Sequence, residues 1–312
     1  ELIYEGRKVL MYCPRCETPL AKAEVAMDNS YKTVTEEALT IKFKLNSGQK
    51  IGDWITDDNT YMLAWTTTPW TLPGNTALAV NEEIDYCLVE KDGENCILAK
   101  ERLAVLEEGF NVLKEFKGKN LVGLEYEPLY EIPAVKNSNK KSHFVISADF
   151  VNTEDGTGIV HIAPIHGEDD YNVGIRYDLP IIPLLDSGGH FNKEAPEFIQ
   201  GFYLKKGERY IKEDLEKRGL IFAKQSHTHS YPHCHRCETP LYYSALSSWF
   251  INIQKVKNRL IQLNEKINWQ PGHLKHGRFL NIVKDAPDWN ISRNRYWASP
   301  LPIWKCQKCQ KV

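Results

Sequence analysis

One short repeat limits how this 312-residue chain can fold. The sequence CPRCETPL at residues 13–20 recurs as CHRCETPL at residues 234–241. In a chain of this size without a secretory signal, Cys-x-x-Cys pairs are typical of metal sites and not of disulfides. Because four thiolates satisfy tetrahedral zinc without an open position, the repeat predicts one structural Zn²⁺ site. The predicted ligands are Cys13, Cys16, Cys234 and Cys237. The alternative is two separate sites, each completed by residues elsewhere.

A third pair, Cys306 and Cys309, indicates half of another site of this kind. His273 and His276 could complete it in principle. The preceding Pro-Gly turn makes this completion the less favoured interpretation, and we expect the pair to be free of metal.

The composition is that of a globular protein, with 42% hydrophobic and 26% charged residues. At about 150 residues per domain, the length indicates two domains. No apolar run approaches the roughly 18 residues that a membrane span needs, and the N-terminus lacks a signal-peptide pattern.

The net charge of −2 argues against a uniformly basic nucleic-acid binder. Residues 271–312 are nevertheless basic and predict a surface for a polyanion or for the rest of a larger protein.

Short apolar and β-branched runs, several ended by turn residues, predict a chain that is mainly β. The predicted strands cover residues 39–45, 61–65, 77–80, 86–90, 96–99, 144–146 and 158–162, with a hairpin turn at Asp92-Gly93. The predicted helices cover residues 100–108, 169–177, 207–218 and, as one long amphipathic helix, 248–267. Many short strands with interspersed helices favour an α+β fold, mainly β, built on a closed or nearly closed barrel.

Two loops carry the residues best suited to chemistry. The string TTTPWTLPGN at residues 66–75 offers a row of hydroxyls on a path restrained by two prolines. It is either an elaborate turn or the wall of a pocket that positions water, and its spacing favours neither. The second loop starts a helix with three acids, Glu168, Asp169 and Asp170. One or two acids suit a helix N-terminus, but a third adds repulsion, so Asp170 is a candidate partner for an ammonium group.

Three strings together closely resemble the isoleucyl-tRNA synthetases, a family of class I aminoacyl-tRNA synthetases. They are TTTPWTLPGN at residues 66–75, GTGIVHIAP with the following GEDDY at residues 156–171, and WNISRNRYW at residues 289–297. The resemblance covers essentially the whole chain and corresponds to the large insertion in the catalytic fold, plus the start of the return into it. Valyl and leucyl enzymes resemble one another in having Thr-Thr-Arg-Pro here, whereas this chain has Thr68 in place of the arginine, followed by Trp70.

The resemblance implies hydrolytic proofreading by a β-barrel editing domain, which removes valine wrongly attached to isoleucine tRNA. Asp170 would hold the α-ammonium group of the misattached amino acid. The implied catalytic residues are Thr66, Thr67, Thr68 and Asp170, and the implied substrate-binding residues are Trp70, Asn75, His161 and Asp170. His161 and the threonines would admit valine and exclude the additional methylene of isoleucine.

The resemblance also implies an organisation in three parts. Residues 1–24 would form the first half of the zinc knuckle and a linker, residues 25–225 the barrel with the knuckle at its base, and residues 226–312 the second half, the long helix and the return into the catalytic core. The expected partners are the acceptor end of tRNA(Ile), valine and the rest of the synthetase chain. We expect a cytoplasmic monomer without membrane association.

The chain begins at Glu1 and contains neither His-x-Gly-His nor Lys-Met-Ser-Lys-Ser. We therefore expect an excised editing domain, with ATP and Mg²⁺ needed only by the full-length enzyme. Two alternatives stay open. One is a valyl-type domain that removes threonine, and the other is a zinc-stabilised tRNA-binding or docking module without hydrolytic activity.

Overall fold

The computed structural model describes residues 2–26, 30–292 and 299–309, and divides the chain into two units. The larger unit is Met11–Ser244, and the smaller unit comprises Glu1–Leu10 and Ala245–Val312. Residues 293–297 of the string WNISRNRYW lie outside the described residues. Among the helices that are described, none has the length and apolar character needed to cross a bilayer.

The described residues are organised mainly as strands, in agreement with the predicted α+β class. The strands are β1 (Ile3–Cys13), β2 (Thr18–Leu20), β3 (Tyr31–Lys44), β4 (Lys50–Ile51), β5 (Trp54–Ile55), β6 (Thr60–Thr66), β7 (Ala77–Val80), β8 (Asp85–Lys91), β9 (Glu94–Ala99), β10 (Phe110–Lys117), β11 (Phe144–Ser147), β12 (Val160–Ile162), β13 (Ile221–Pro232), β14 (Tyr242–Ile251) and β15 (Trp289–Asn290). All seven predicted strands are confirmed, as is the hairpin between β8 and β9.

The helices are fewer and shorter. The α-helices are α1 (Lys22–Val25), α2 (Pro133–Lys136), α3 (Glu168–Arg176), α4 (Leu204–Lys217), α5 (Gln254–Glu265) and α6 (Leu280–Asp285). The 3₁₀ helices are Pro69–Gly74, Lys100–Leu106, Gly118–Asn120 and Glu197–Ile199, and a π-helical turn covers Lys275–Phe279. The predicted helices at residues 169–177 and 207–218 are confirmed as α3 and α4, and the one at 100–108 is a 3₁₀ helix.

The central sheet of the larger unit has six strands in the order β10-β8-β9-β6-β3-β13. Neighbouring strands are antiparallel except β6 and β9, which run parallel. The longest ladder joins β3 to β13, from Tyr31 opposite Pro232 to Ile41 opposite Ile221. This ladder brings the beginning and the end of the larger unit side by side.

Of the predicted closed or nearly closed barrel, the closed form is wrong. Within the described residues, no ladder joins the two edge strands β10 and β13, so the six-stranded sheet stays open. Strand β10 carries Lys114, Glu115 and Lys117, and all three side chains form ion pairs. Charged side chains on an edge strand oppose pairing with a further strand, which keeps β10 an edge. The alternation of apolar and polar residues predicts strands, but it does not predict whether a sheet closes.

A three-stranded sheet in the order β11-β7-β12 positions the second candidate loop. Its side chains pack with Val173 of α3 and with Leu179 in one buried apolar cluster. Helix α3 is thereby held against the sheet, and its N-terminal acids lie just beyond the end of β12.

The prediction of one long helix over residues 248–267 is wrong in its first part. Strand β14 continues to Ile251, and α5 begins only at Gln254. Ser248 and Phe250 are buried while Trp249 and Ile251 are half-buried, which is the period of two expected for a strand. Aromatic and β-branched side chains favour this state, and the smaller unit supplies the partner strand β15.

One buried hydroxyl connects the six-stranded sheet to the turn that precedes β12. Tyr86 is completely buried, its hydroxyl donates to the Gly158 carbonyl oxygen at 2.7 Å, and it accepts from the Asn81 N–H at 3.2 Å. Gly158 has φ +74° and lies against Ala99, where a Cβ atom would overlap the Ala99 side chain. Burial raises the pKa of Tyr86 to about 12, so its hydroxyl keeps the proton that it donates.

We predict that Tyr86→Phe lowers the free energy of unfolding by about 1–3 kcal/mol, because it leaves a buried carbonyl and a buried N–H without a partner. Denaturant unfolding measures this difference. Tyr61→Phe is the matched control, since the Tyr61 hydroxyl makes no hydrogen bond within the described residues. Equal stabilities of the two variants would contradict the prediction.

Candidate active site and metal centre

The threonine-rich string begins at the end of β6 and continues into the 3₁₀ helix Pro69–Gly74. Pro69 suits the first helical position because it needs no N–H donor there. Thr66 is buried, whereas Thr67 and Thr68 are half-buried. The Thr66 hydroxyl accepts from the Thr68 N–H at 3.0 Å, and the two hydroxyl oxygens are 3.4 Å apart. Hydrogen bonds of the threonine hydroxyls therefore stabilise the turn.

Thr71 extends this row to the imidazole of His161. The Thr71 hydroxyl donates to the Thr68 carbonyl oxygen at 2.8 Å, and its oxygen lies 3.0 Å from His161 Nε2. His161 is 8% exposed, and burial together with neighbouring His166 lowers its pKa to about 4. The imidazole is therefore neutral at physiological pH.

Asn75 makes its contacts with the scaffold. Its side-chain N–H donates to the Ala77 carbonyl at 2.9 Å, and its Oδ1 accepts from the Tyr126 hydroxyl at 2.7 Å. Both partners belong to the buried core, and no hydrogen bond from Asn75 to the threonines or His161 occurs within the described residues. These contacts hold the end of the loop at the start of β7.

Trp70 is buried in an aromatic group beside the loop. Its ring packs edge-on against His166 at 4.7 Å and against Tyr242 at 5.5 Å between centroids. His166 Nδ1 lies 3.1 Å from the Tyr243 carbonyl oxygen. The Trp70 Nε1–H is buried without a partner in the described part of the chain. The group connects the threonine loop to the segment that follows the second Cys-x-x-Cys pair.

Asp170 closes the second loop back onto β12. It lies in the first turn of α3, and its Oδ1 accepts from the Ala163 N–H at 2.9 Å. A Cβ atom on Gly167 would overlap Asp170 Oδ2, so a glycine is needed where the carboxylate folds over the helix start. Removal from water raises the pKa of Asp170 to about 6. Within the described residues no cation pairs with this carboxylate, which leaves its charge available to a ligand.

The structure thus joins Thr66, Thr68 and His161 in one hydrogen-bonded row and places Asp170 at the end of the strand that carries His161. Three contributing residues were missed by sequence reasoning: Thr71, Tyr126 and Tyr242. Thr71 belongs to the quoted string, but a threonine in a turn has no distinguishing signal. Tyr126 and Tyr242 reach the loop only through tertiary packing.

The four predicted metal ligands come together in the larger unit. Cys13 Sγ and Cys16 Sγ each lie 3.5 Å from Cys237 Sγ, and the ligand atoms of all four cysteines are within 4.8 Å of one another. In tetrahedral coordination with Zn–S distances of about 2.3 Å, sulfur atoms are about 3.8 Å apart. The four residues therefore fit one metal ion, and four thiolates are the donor set of structural zinc.

The pKa values of the clustered thiols depend on their burial and on their hydrogen bonds. Burial raises the pKa of Cys13 and of Cys16. Burial also opposes ionisation of Cys237, but hydrogen bonds with Thr239 and the neighbouring thiols outweigh it and lower that pKa to about 6. A cation bound between the thiols would favour the thiolate form that metal ligation needs.

Cys306 and Cys309 are both exposed. Within residues 2–26, 30–292 and 299–309, the cysteine cluster above is the only group of three or more metal-ligating side chains close enough to share an ion. His273 and His276 are not brought to this pair.

The whole chain, residues 1–312, matches the family model described as tRNA synthetases class I (I, L, M and V). The chain belongs to this family. Within it, the chain is 46% identical over 307 residues to the isoleucine–tRNA ligase of Clostridium acetobutylicum and 43% identical over 335 residues to that of Treponema denticola. It is 42% identical over 309 residues to that of Bacillus thuringiensis. These matches cover 98–99% of this chain but only 28–30% of the first two synthetases and 28% of the third.

Among solved structures, the chain is similar to the crystal structure of GlLeuRS-CP1, with a TM-score of 0.45 and 15% identity over 60% of this chain and 99% of that one. The P. knowlesi cytosolic leucyl-tRNA synthetase editing domain has a TM-score of 0.44 and 14% identity, over 61% of this chain and 96% of that one.

We predict that Asp170→Asn stabilises the folded chain at pH 7.5 by about 1–2 kcal/mol. The ordinary carboxyl pKa is 3.8 and the folded one about 6, so the wild type loses stability as the pH rises between these values. Asparagine carries no charge and still accepts the Ala163 N–H bond. The gain should disappear at pH 4, where the wild-type carboxyl is protonated, and unfolding at both pH values measures it.

Asp169→Asn is the control, since this neighbour in the same helical turn is exposed and forms no ion pair within the described residues. Its removal should leave the stability unchanged or slightly lower, because an acid near a helix N-terminus is favourable. An equal gain from both variants would contradict the assignment of the cost to Asp170.

We also predict about one zinc ion per chain, bound by the four clustered thiols. Elemental analysis of the purified protein should find that Cys13→Ser and Cys237→Ser lose the metal. Cys306→Ser, which alters an exposed cysteine outside the cluster, should retain it. Loss of zinc from the Cys306 variant alone would place the ion elsewhere.

Proposed function

We propose that this chain is the editing domain of an isoleucine–tRNA ligase and hydrolyses the ester of Val-tRNA(Ile). Family membership and the identity to isoleucine–tRNA ligases support the proposal. The observation that carries it is Asp170, a half-buried carboxylate whose pKa is raised by desolvation and which pairs with no cation in the described residues. A primary ammonium group can pair with such a carboxylate through charge-assisted hydrogen bonds.

In this proposal Asp170 anchors the α-ammonium group of the misattached amino acid beside β12. The threonines at 66, 67 and 68 supply hydroxyls and backbone amides that bind the ester and water. Water attacks the ester carbonyl carbon, the bond to the ribose oxygen breaks, and that oxygen takes up the proton. The aminoacyl ester is already activated, so positioning suffices and no nucleophilic serine or cysteine is needed.

The same residues provide a size limit. His161 lies on β12 and its ring contacts the Thr71 hydroxyl, while Trp70 and Asn75 keep the loop in place. A wall of this kind can accept valine and exclude one further methylene. Such a difference gives about 10- to 200-fold discrimination, a general figure for which the isoleucyl enzymes are themselves the standard example.

The wider setting belongs to the proposal as well. The partners would be the acceptor end of tRNA(Ile), valine and the rest of the synthetase chain, for a cytoplasmic monomer with a structural zinc ion. Residues 25–225 would form the editing domain, flanked by residues 1–24 and 226–312. ATP and Mg²⁺ would serve the full-length enzyme only.

The test is a deacylation assay with this chain on Val-tRNA(Ile) and Ile-tRNA(Ile). We expect faster hydrolysis of Val-tRNA(Ile), and a loss of at least about tenfold in Asp170→Asn, since a charge-assisted contact contributes about 1.5–3 kcal/mol. Binding of tRNA without hydrolysis would favour the docking module, and hydrolysis of Thr-tRNA(Val) would favour a valyl-type domain.

For the size limit, we predict that His161→Ala raises the ratio of Ile-tRNA to Val-tRNA hydrolysis by about tenfold or more, because it makes room for one methylene. The ratio of the two rates at one tRNA concentration measures it, whatever happens to the absolute rates. An unchanged ratio would mean that the threonines alone set the limit.

A further inference from the structure

The hydrogen bonds around Thr71 determine which nitrogen of His161 carries the proton. A hydroxyl has one hydrogen, and a carbonyl oxygen can only accept. The 2.8 Å bond from the Thr71 hydroxyl to the Thr68 carbonyl therefore uses that hydrogen. His161 Nε2, 3.0 Å from the same hydroxyl oxygen, must then be the donor in the second bond.

The opposite arrangement is less favourable. It would turn the Thr71 hydroxyl towards Nε2 and place the ring hydrogen on Nδ1. His161 Nδ1 is buried and has no hydrogen-bond partner within the described residues. A buried N–H without an acceptor is rarer and more costly than a buried lone pair without a donor.

The Nε2–H tautomer leaves an unshared lone pair on Nδ1 in a nine-tenths buried side chain. Within the described residues no hydrogen-bond donor reaches this lone pair, and the neighbouring His166 ring contacts the Tyr243 carbonyl instead. A buried acceptor without a protein donor is suited to a donor supplied by a ligand or by water.

We propose that Thr71 is a positioning residue that holds His161 as its Nε2–H tautomer, so that Nδ1 accepts a hydrogen bond from the water that attacks the ester. This inference rests on the proposed deacylation. His161 orients the water and does not take its proton, since a neutral buried imidazole of this kind is a weak base. The proton goes to the ribose oxygen as the ester bond breaks.

The first measurement is the tautomer itself, by ¹⁵N NMR of the imidazole nitrogens of the full chain. The His161→Ala variant identifies the His161 signals among those of the ten histidines. We expect a protonated Nε2 and an unprotonated Nδ1 in the wild type and in Thr71→Ser, and a mixture of tautomers in Thr71→Val.

The second measurement is deacylation of Val-tRNA(Ile) and Ile-tRNA(Ile) by the same proteins. Valine has nearly the volume of threonine, so Thr71→Val should slow both reactions about tenfold and leave their ratio unchanged. Thr71→Ser, which restores the hydroxyl, should recover most of the rate. This pattern differs from that of His161→Ala, which changes the ratio.

A hydrogen on Nδ1 in the wild type would overturn this inference and leave the proposed function intact. Full activity of Thr71→Val would also overturn it. A chain with the Nε2–H tautomer that hydrolyses no aminoacyl-tRNA would instead overturn the proposed function, and the role of Nδ1 towards water with it.

Discussion

The two ends of the larger unit meet at four cysteine thiols, which are contributed by the two copies of one short repeat. Cys13 and Cys237 are 224 positions apart in the chain, yet their sulfur atoms are 3.5 Å apart. Apolar side chains of β2, α1 and the segment before β14 pack around the thiols. A metal ion bound there would close a very long loop, the situation in which a crosslink removes most entropy from the unfolded chain.

The candidate site depends on this closure through aromatic packing. Tyr242 immediately follows the second copy of the repeat, and its ring contacts Trp70 of the threonine loop. The next residue, Tyr243, bonds the His166 ring through its carbonyl. Tyr242 and Tyr243 therefore connect the cysteine cluster to the candidate site by direct packing.

The interior of the candidate site contains polar groups whose burial costs stability. Within the described residues, the half-buried carboxylate of Asp170 has backbone N–H groups and no cation as partners, and desolvation raises its pKa. His161 likewise keeps a buried nitrogen without a partner. Groups of this kind are uncommon in interiors that serve packing alone, and they occur here on neighbouring segments.

The sequence alone determined what depends on residue type and short spacing. Alternation located the strands and the repeat located the clustered thiols, because local steric and hydrogen-bonding preferences act over a few residues. The strings around Thr66 and Asp170 indicated the candidate site. Tertiary structure alone decided the rest. Whether β10 meets β13, and whether residues 248–251 pair with β15 or coil into a helix, depends on partners distant in the chain. The same holds for Thr71. The sequence does not distinguish it from other threonines in turns, because its contact with His161, at 3.0 Å, forms only in the folded chain.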